Sequence, residues 1–167
     1  TYGTGDVLVM EVGNEPHFAP SLYSDILLGM AMGAKEADPR MKVLPGVIVG
    51  KHGMMMVDEG YMNRTHLKYL DGLNTHIYSW AQTSKGKRTG VHPENKVSIW
   101  WEILQIISFR DDNLGELPVY LTEYGWDSPG GGEGCTTSEC VSERSQALYA
   151  VRGSLIAARL GVERMSW

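Results

Sequence analysis

The sequence is poor in cysteine and in positive charge, and it has no long apolar run. Its two cysteines, Cys135 and Cys140, sit close together in "GCTTSEC". Two thiolates are too few to close a tetrahedral zinc site. They leave two options open, a short-loop disulfide contributing roughly 2 kcal/mol or a pair of free thiols. The formal net charge of -5 argues against a partner rich in phosphate, so nucleic acid is not an expected ligand. No stretch approaches the ~20 apolar residues that span a bilayer, so no membrane partner is expected either. His52, His66 and His92 are scattered without metal-ligand spacing. No repeat of 20 to 50 residues and no linker interrupts the chain. Neither a metal nor a cofactor is expected.

The composition is otherwise that of a globular domain, with 43% hydrophobic and 21% charged residues over 167 positions. The chain opens on Thr1 and reaches a strand-like run within a few residues. It reads as a piece of something longer, from which any leader would be missing. The cysteine pair leans towards a secreted or periplasmic setting.

Periodicity gives the order of elements. "DVLVMEV" (6–12), "MKVLPGVIVG" (41–50), "GLNTHIYSW" (72–80), "LPVYLTEYGW" (117–126) and "VERMSW" (162–167) are short apolar or alternating runs that predict strands. Between them, helices are predicted over 21–37, 59–70, 93–109 and 137–161. Leu22, Ile26, Met30 and Ala34 mark one face of the first; Val97, Trp100, Trp101, Leu104 and Ile107 mark the third. Thr136 and Glu139 fit a capping box for the last, and Gly161 a stop. Five strands alternating with four helices predict an α/β fold with a parallel sheet. In such folds ligands bind at the carboxyl ends of the strands.

Side chains on a strand alternate between faces, so residues of equal parity share one. Glu11, Gly13 and Glu15 share a face of the first strand. His76, Tyr78 and Trp80 share one on the third, Val119, Leu121 and Glu123 on the fourth, and Met165 and Trp167 on the last. Two carboxylates, an imidazole, a phenol and an indole thus converge on one mouth. Paired carboxylates suit glycosidic bond cleavage: one gives a proton to the leaving oxygen while the other attacks the anomeric carbon or positions water. An aromatic stacks on the sugar, and a neutral amide beside the acid bonds its 2-hydroxyl.

"GNEP", "HIY", "LTEYG" and "SW", in that order at successive strand ends, resemble retaining glycoside hydrolases of clan A. These are (β/α)8 barrels with an acid/base glutamate after strand four and a nucleophile glutamate after strand seven. The resemblance covers essentially the whole chain and implies a partial TIM barrel, strands four to eight, with the first three missing. It makes 1–167 a single, incomplete catalytic domain whose missing partner is its own N-terminal strands. It implies Glu15 as acid/base, Asn14 as the 2-hydroxyl contact, and Glu123 as nucleophile with Tyr78 bonded to it. His76 then shapes the sugar subsite and Trp167 floors it. The substrate implied is a β-linked poly- or oligosaccharide. The look is similar to the agarase/porphyranase-like and xylosidase-like members. Gly13 stands where many relatives carry an aromatic, and the loop "GWDSPGGGEGCTTSEC" is longer than in simple cellulases.

Plainer roles compete. Glu15 alone is a helix-entry acid before Pro16. His17 and Trp126 either line the cleft or pack. Glu11 lies deeper on the face of Glu15, where an unpaired carboxylate is costly, and no cationic partner is evident for it in the sequence. A carbohydrate-binding barrel without turnover has no need of two carboxylates. A metal-dependent hydrolase or isomerase using Glu15, His76 and Glu123 would want more His or Asp at strand ends. With three strands absent, the edges at "DVLVMEV" and "VERMSW" are expected to make the isolated chain inactive or poorly soluble.

Overall fold

A computed structural model of the chain describes residues 9–16, 19–47, 60–128 and 139–167. Strand β1 (Val9–Val12) leads to helix α1 (Pro20–Ala37) and strand β2 (Lys42–Pro45). A 3-10 turn (His66–Lys68) precedes β3 (Leu73–Tyr78), which is followed by two short strands, β4 (Trp80–Gln82) and β5 (Arg88–Gly90). Helix α2 (Ile99–Asn113), β6 (Val119–Gly125), helix α3 (Glu143–Arg159) and β7 (Val162–Met165) complete the order. β1 and β2 pair in parallel, β3, β6 and β7 form a second parallel ladder with β6 in the centre, and β4 and β5 make an antiparallel hairpin. The alternation therefore gives the expected α/β fold with parallel sheets. β2 and β3 are stapled instead of laddered: Asp71 N–H donates to Val43 O and Val43 N–H to Asp71 Oδ2, at 2.9 and 2.8 Å.

Three α-helices are present among the described residues, not four. Within 60–70, the helix expected over 59–70 is only the 3-10 turn. Asn63 N–H donates to His66 Nδ1, and Thr65 N–H to Asn63 Oδ1, at 3.1 and 2.8 Å. Such local side-chain bonds compete with the helical ladder. α2 begins at Ile99, six residues later than Pro93 suggested, because Asn95 Oδ1 accepts from Val97 N–H and Ser98 is extended at the cap. α3 is capped by Ser142, whose hydroxyl accepts from Ser145 N–H at 3.2 Å. Glu139 has φ 74° and lies outside the helix, so the expected capping box is not its start; Thr136 lies outside the described residues. Gly161 does follow the helix end with φ 75°, a left-handed stop that glycine adopts freely.

The helix faces also differ from the four-residue steps read in sequence. α1 buries Tyr23, Leu27, Ala31 and Ala34, while Leu22, Ile26 and Met30 are exposed. α2 buries Ile99, Ile103 and Ile106, while Val97 and Trp101 are exposed. Two cores result. One packs α1 on β1 and β2 with Met62 and Leu73. The other packs α2 and α3 on Ile77, Leu121, Tyr124 and Trp126.

One buried hydroxyl fixes the carboxyl ends of β1 and β2. Tyr23 donates to Val12 O at 2.9 Å and accepts from Gly46 N–H. Gly46 allows this approach: a Cβ there would meet Val12 O at 2.8 Å and Tyr23 Oη at 2.9 Å. Burial pushes the Tyr23 phenol up to about 12, so it stays protonated and able to donate.

Candidate active site

The turn after β1 leaves the strand through two left-handed residues. Gly13 has φ 85°, which glycine adopts at little cost, and Glu15 has φ 42°, which a side-chain-bearing residue does not. Left-handed backbone at a non-glycine residue is stored strain and concentrates at functional positions. Here it presents the Glu15 carboxylate, 40% exposed, to the end of β3.

His76 receives it. Its side chain is only 2% exposed, and Nδ1 lies 2.9 Å from Glu15 Oε1 and 3.5 Å from Glu123 Oε2. On the other side of the ring, Nε2 lies 3.1 Å from Thr122 Oγ1 and 3.5 Å from Glu11 Oε1. Burial pulls the imidazole pKa down, but the carboxylates of Glu11 and Glu15 beside its two nitrogens and the charge of Glu123 outweigh it, so the net shift is upward from 6.5. Tyr78 donates to Glu123 Oε2 at 2.7 Å; that bond, with burial adding to it, pushes the phenol up to about 12.

A β-bulge makes this arrangement possible. Thr75 pairs with Leu121 but His76 pairs with Glu123, so Thr122 is the extra residue. Strict alternation places Glu123 with Val119 and Leu121. The structure corrects that: Leu121 and Tyr124 pack in the helix-side core, while Thr122 and Glu123 both turn towards His76. Thr122, which the sequence pattern did not single out, also accepts from Asn74 Nδ2 at 3.2 Å. Glu11, for which no cationic partner was evident in the sequence, faces His76.

Of the residues singled out by sequence, Glu15, His76, Tyr78 and Glu123 come together. Asn14 is exposed in the same turn. Trp126 is 4% exposed and donates its indole N–H to Val91 O at 2.7 Å, so it is packed, not presented. Trp167 is 61% exposed and rests edge-on against Tyr124 at 5.0 Å and tilted on Trp126 at 6.1 Å. His17 lies outside the described residues. The β4–β5 hairpin, unforeseen in the sequence, adds Trp80 with the Arg88 guanidinium 4.0 Å above its ring. Arg88 also pairs with Glu139 at 2.8 Å, which ties the hairpin to the segment entering α3. Cys140 in that segment is disulfide-bonded, and Cys135 lies outside the described residues.

One ligand-type atom from each of Glu15, His76 and Glu123 lies within 4.8 Å of the other two. By donor type these three could hold a divalent cation. The 2.9 Å between His76 Nδ1 and Glu15 Oε1 is a hydrogen-bond distance, however, and Glu123 Oε2 already accepts from the Tyr78 hydroxyl. The geometry is that of a hydrogen-bonded group.

No protein-family model and no curated protein matches the chain. Solved structures do. The chain is similar to the endo-1,4-beta-D-mannanase from Thermotoga petrophila RKU-1, with a TM-score of 0.55 at 16% identity, over 95% of this chain and 44% of that one. It is similar to the endo-1,4-beta-mannanase from Rhizomucor miehei, with a TM-score of 0.55 at 14% identity, over 93% and 42%. A Bacteroides fragilis protein assigned as a beta-galactosidase gives a TM-score of 0.59 at 15% identity, over 95% and 21%. The chain spans less than half the length of each. These neighbours are glycosidases on TIM-barrel folds, and at such identities the likeness is one of fold.

Proposed function

We propose that this chain is the C-terminal part, strands four to eight, of a (β/α)8-barrel glycoside hydrolase that cleaves a β-linked poly- or oligosaccharide with retention of configuration. The observation that carries this reading is the Glu15–Glu123 pair, with carboxylate oxygens within 4.8 Å of each other. Two carboxylates this close can flank one scissile bond, one as acid/base and the other as nucleophile, which is the arrangement a double displacement needs.

Glu15, as the carboxylic acid, gives its proton to the glycosidic oxygen. Glu123, ionised, attacks the anomeric carbon, the bond to the leaving oxygen breaks, and a glycosyl ester forms. Glu15, now a carboxylate, takes a proton from water; the water oxygen attacks the same carbon and frees Glu123. Tyr78 keeps the Glu123 oxygen aimed. Asn14 bonds the 2-hydroxyl; Trp167, which leans on Tyr124 and Trp126 of the helix-side core, is not assigned the subsite floor. The Cys140 disulfide fits a secreted or periplasmic setting.

The test is covalent trapping. A 2-fluoro β-glycoside with a good leaving group slows both steps and lets the ester accumulate. Mass spectrometry of the chain, alone and with barrel-completing strands supplied, is expected to find the sugar on the peptide bearing Glu123. Sugar binding without an ester would point to a binding barrel. Turnover abolished by a chelator would point to metal-dependent chemistry. Either result overturns the reading.

A further inference from the structure

We infer that Glu11 is a positioning residue: with Glu15 and Glu123 it holds the buried His76 ring as a doubly protonated imidazolium, a fixed cation between the two reacting carboxylates. The role in turnover rests on the glycosidase reading; the state of the ring does not.

The groups facing His76 come from three places. Glu11 is on β1 and Glu15 on the turn after it. Thr122 and Glu123 are on β6. Tyr78, on the same strand as His76, is engaged with Glu123 at 2.7 Å. Nδ1 therefore meets two carboxylate oxygens, and Nε2 meets a hydroxyl and a third carboxylate. A neutral imidazole carries one N–H. With the proton on Nε2, a ring lone pair would face Glu15 Oε1 at 2.9 Å. With the proton on Nδ1, Nε2 could accept from the Thr122 hydroxyl at 3.1 Å, but it would turn no N–H towards Glu11 Oε1 at 3.5 Å. Only the doubly protonated ring turns an N–H towards both sides.

Glu11 is the part that the reaction itself does not require. Its Oε1 is shielded from solvent and has no hydrogen-bond donor among the described residues. The 3.5 Å to His76 Nε2 is an ion-pair distance without a well-formed hydrogen bond. A carboxylate so placed is costly unless a cation faces it, and His76 is the cation in reach. The consequence is electrostatic. An imidazolium offsets the charge that Glu123 carries, and the charge that Glu15 acquires once it has given up its proton, so the two can stand within 4.8 Å of each other.

The experiment is a titration of the His76 ring nitrogens by NMR in the wild-type chain, E11Q and E11D. In the wild type the midpoint is expected above the ordinary 6.5. In E11Q it moves down, and in E11D, which keeps the charge, it stays raised. A residue that merely supports the fold would change the melting temperature and leave the midpoint in place. A wild-type midpoint at or below the ordinary value overturns the inference without any variant. So does an unmoved midpoint in folded E11Q, or, should E11Q not fold, an E11D midpoint that falls to the ordinary value. The readout is a ring, not turnover. A chain without glycosidase activity but with a shifted E11Q midpoint would sink the proposed reaction and leave Glu11 as assigned; active protein with an unmoved midpoint would do the reverse.

Discussion

Tyr78 donates its hydroxyl hydrogen to Glu123 Oε2 across 2.7 Å, joining the ends of β3 and β6 at the point where the proposed nucleophile must be aimed. The Glu123 side chain is 40% exposed, and its other neighbour is the His76 ring at 3.5 Å.

Tyr78→Phe removes that aim and nothing else of size. A hydrogen bond to a charged group is worth about 1.5–3 kcal/mol when well shielded, and the exposure of this pair puts it at the lower end. The expected loss in kcat/KM is about tenfold, with the melting temperature little changed. The wild-type phenol is expected to titrate near 12, read by its ultraviolet absorbance. Unchanged kcat/KM in the variant would mean that Glu123 is held by something else.

Glu15 is strained where it stands, with φ 42°. Glu15→Gln and Glu15→Gly both remove the carboxylate, but only glycine relaxes the left-handed backbone. The glycine variant is expected to be the more stable of the two by about 1 kcal/mol in urea unfolding, and both are expected to lose the acid/base step. Equal stabilities would show that the turn carries no strain that matters.

How much of this could be read from the residues follows from which rules are local. β-branched runs and the order of elements are local properties, and the strands duly formed around Met10, Val43, Ile77, Leu121 and Arg164. Parity along a strand is also local, and it placed His76 and Tyr78 on one face. It failed at Glu123, because a bulge at Thr122 is a property of the β3–β6 pairing and leaves no mark in "LTEYG". Counting by fours likewise gave α1 an exposed stripe at Leu22, Ile26 and Met30. The buried stripe includes Ala31, too small to stand out by hydrophobicity, and Tyr23, whose hydroxyl bonds Val12 O and Gly46 N–H. No partner for Glu11 was evident because His76 lies 65 positions away.

Tyr23→Phe tests how the β1 turn is held. It leaves Val12 O without its donor and Gly46 N–H without its acceptor, both buried, at a cost of about 1–3 kcal/mol. Because the same hydroxyl fixes the strand end that carries Gly13, Asn14 and Glu15, catalytic activity is expected to fall together with stability. Urea unfolding and kcat/KM on one preparation check both. A stability loss with full activity would mean that the turn is positioned from the His76 side alone.

The His76 ion pairs predict the direction in which stability changes with pH. A group whose pKa is raised by folding contributes stability that is fully present below its unfolded value, the ordinary 6.5, and is lost as pH rises through the higher folded value. The comparison is with His76→Asn, which keeps a polar side chain at the position but does not titrate. As pH rises above the ordinary 6.5 and through the higher folded value, the unfolding free energy of the wild-type chain is expected to fall towards that of the variant. Packing and hydrogen-bond losses in His76→Asn add an offset that pH does not move, so the slope of the difference, not its size, reports the ring. A difference that stays flat, or widens as pH rises, would mean that His76 is buried as the neutral imidazole and that Glu11, Glu15 and Glu123 do not share a cation.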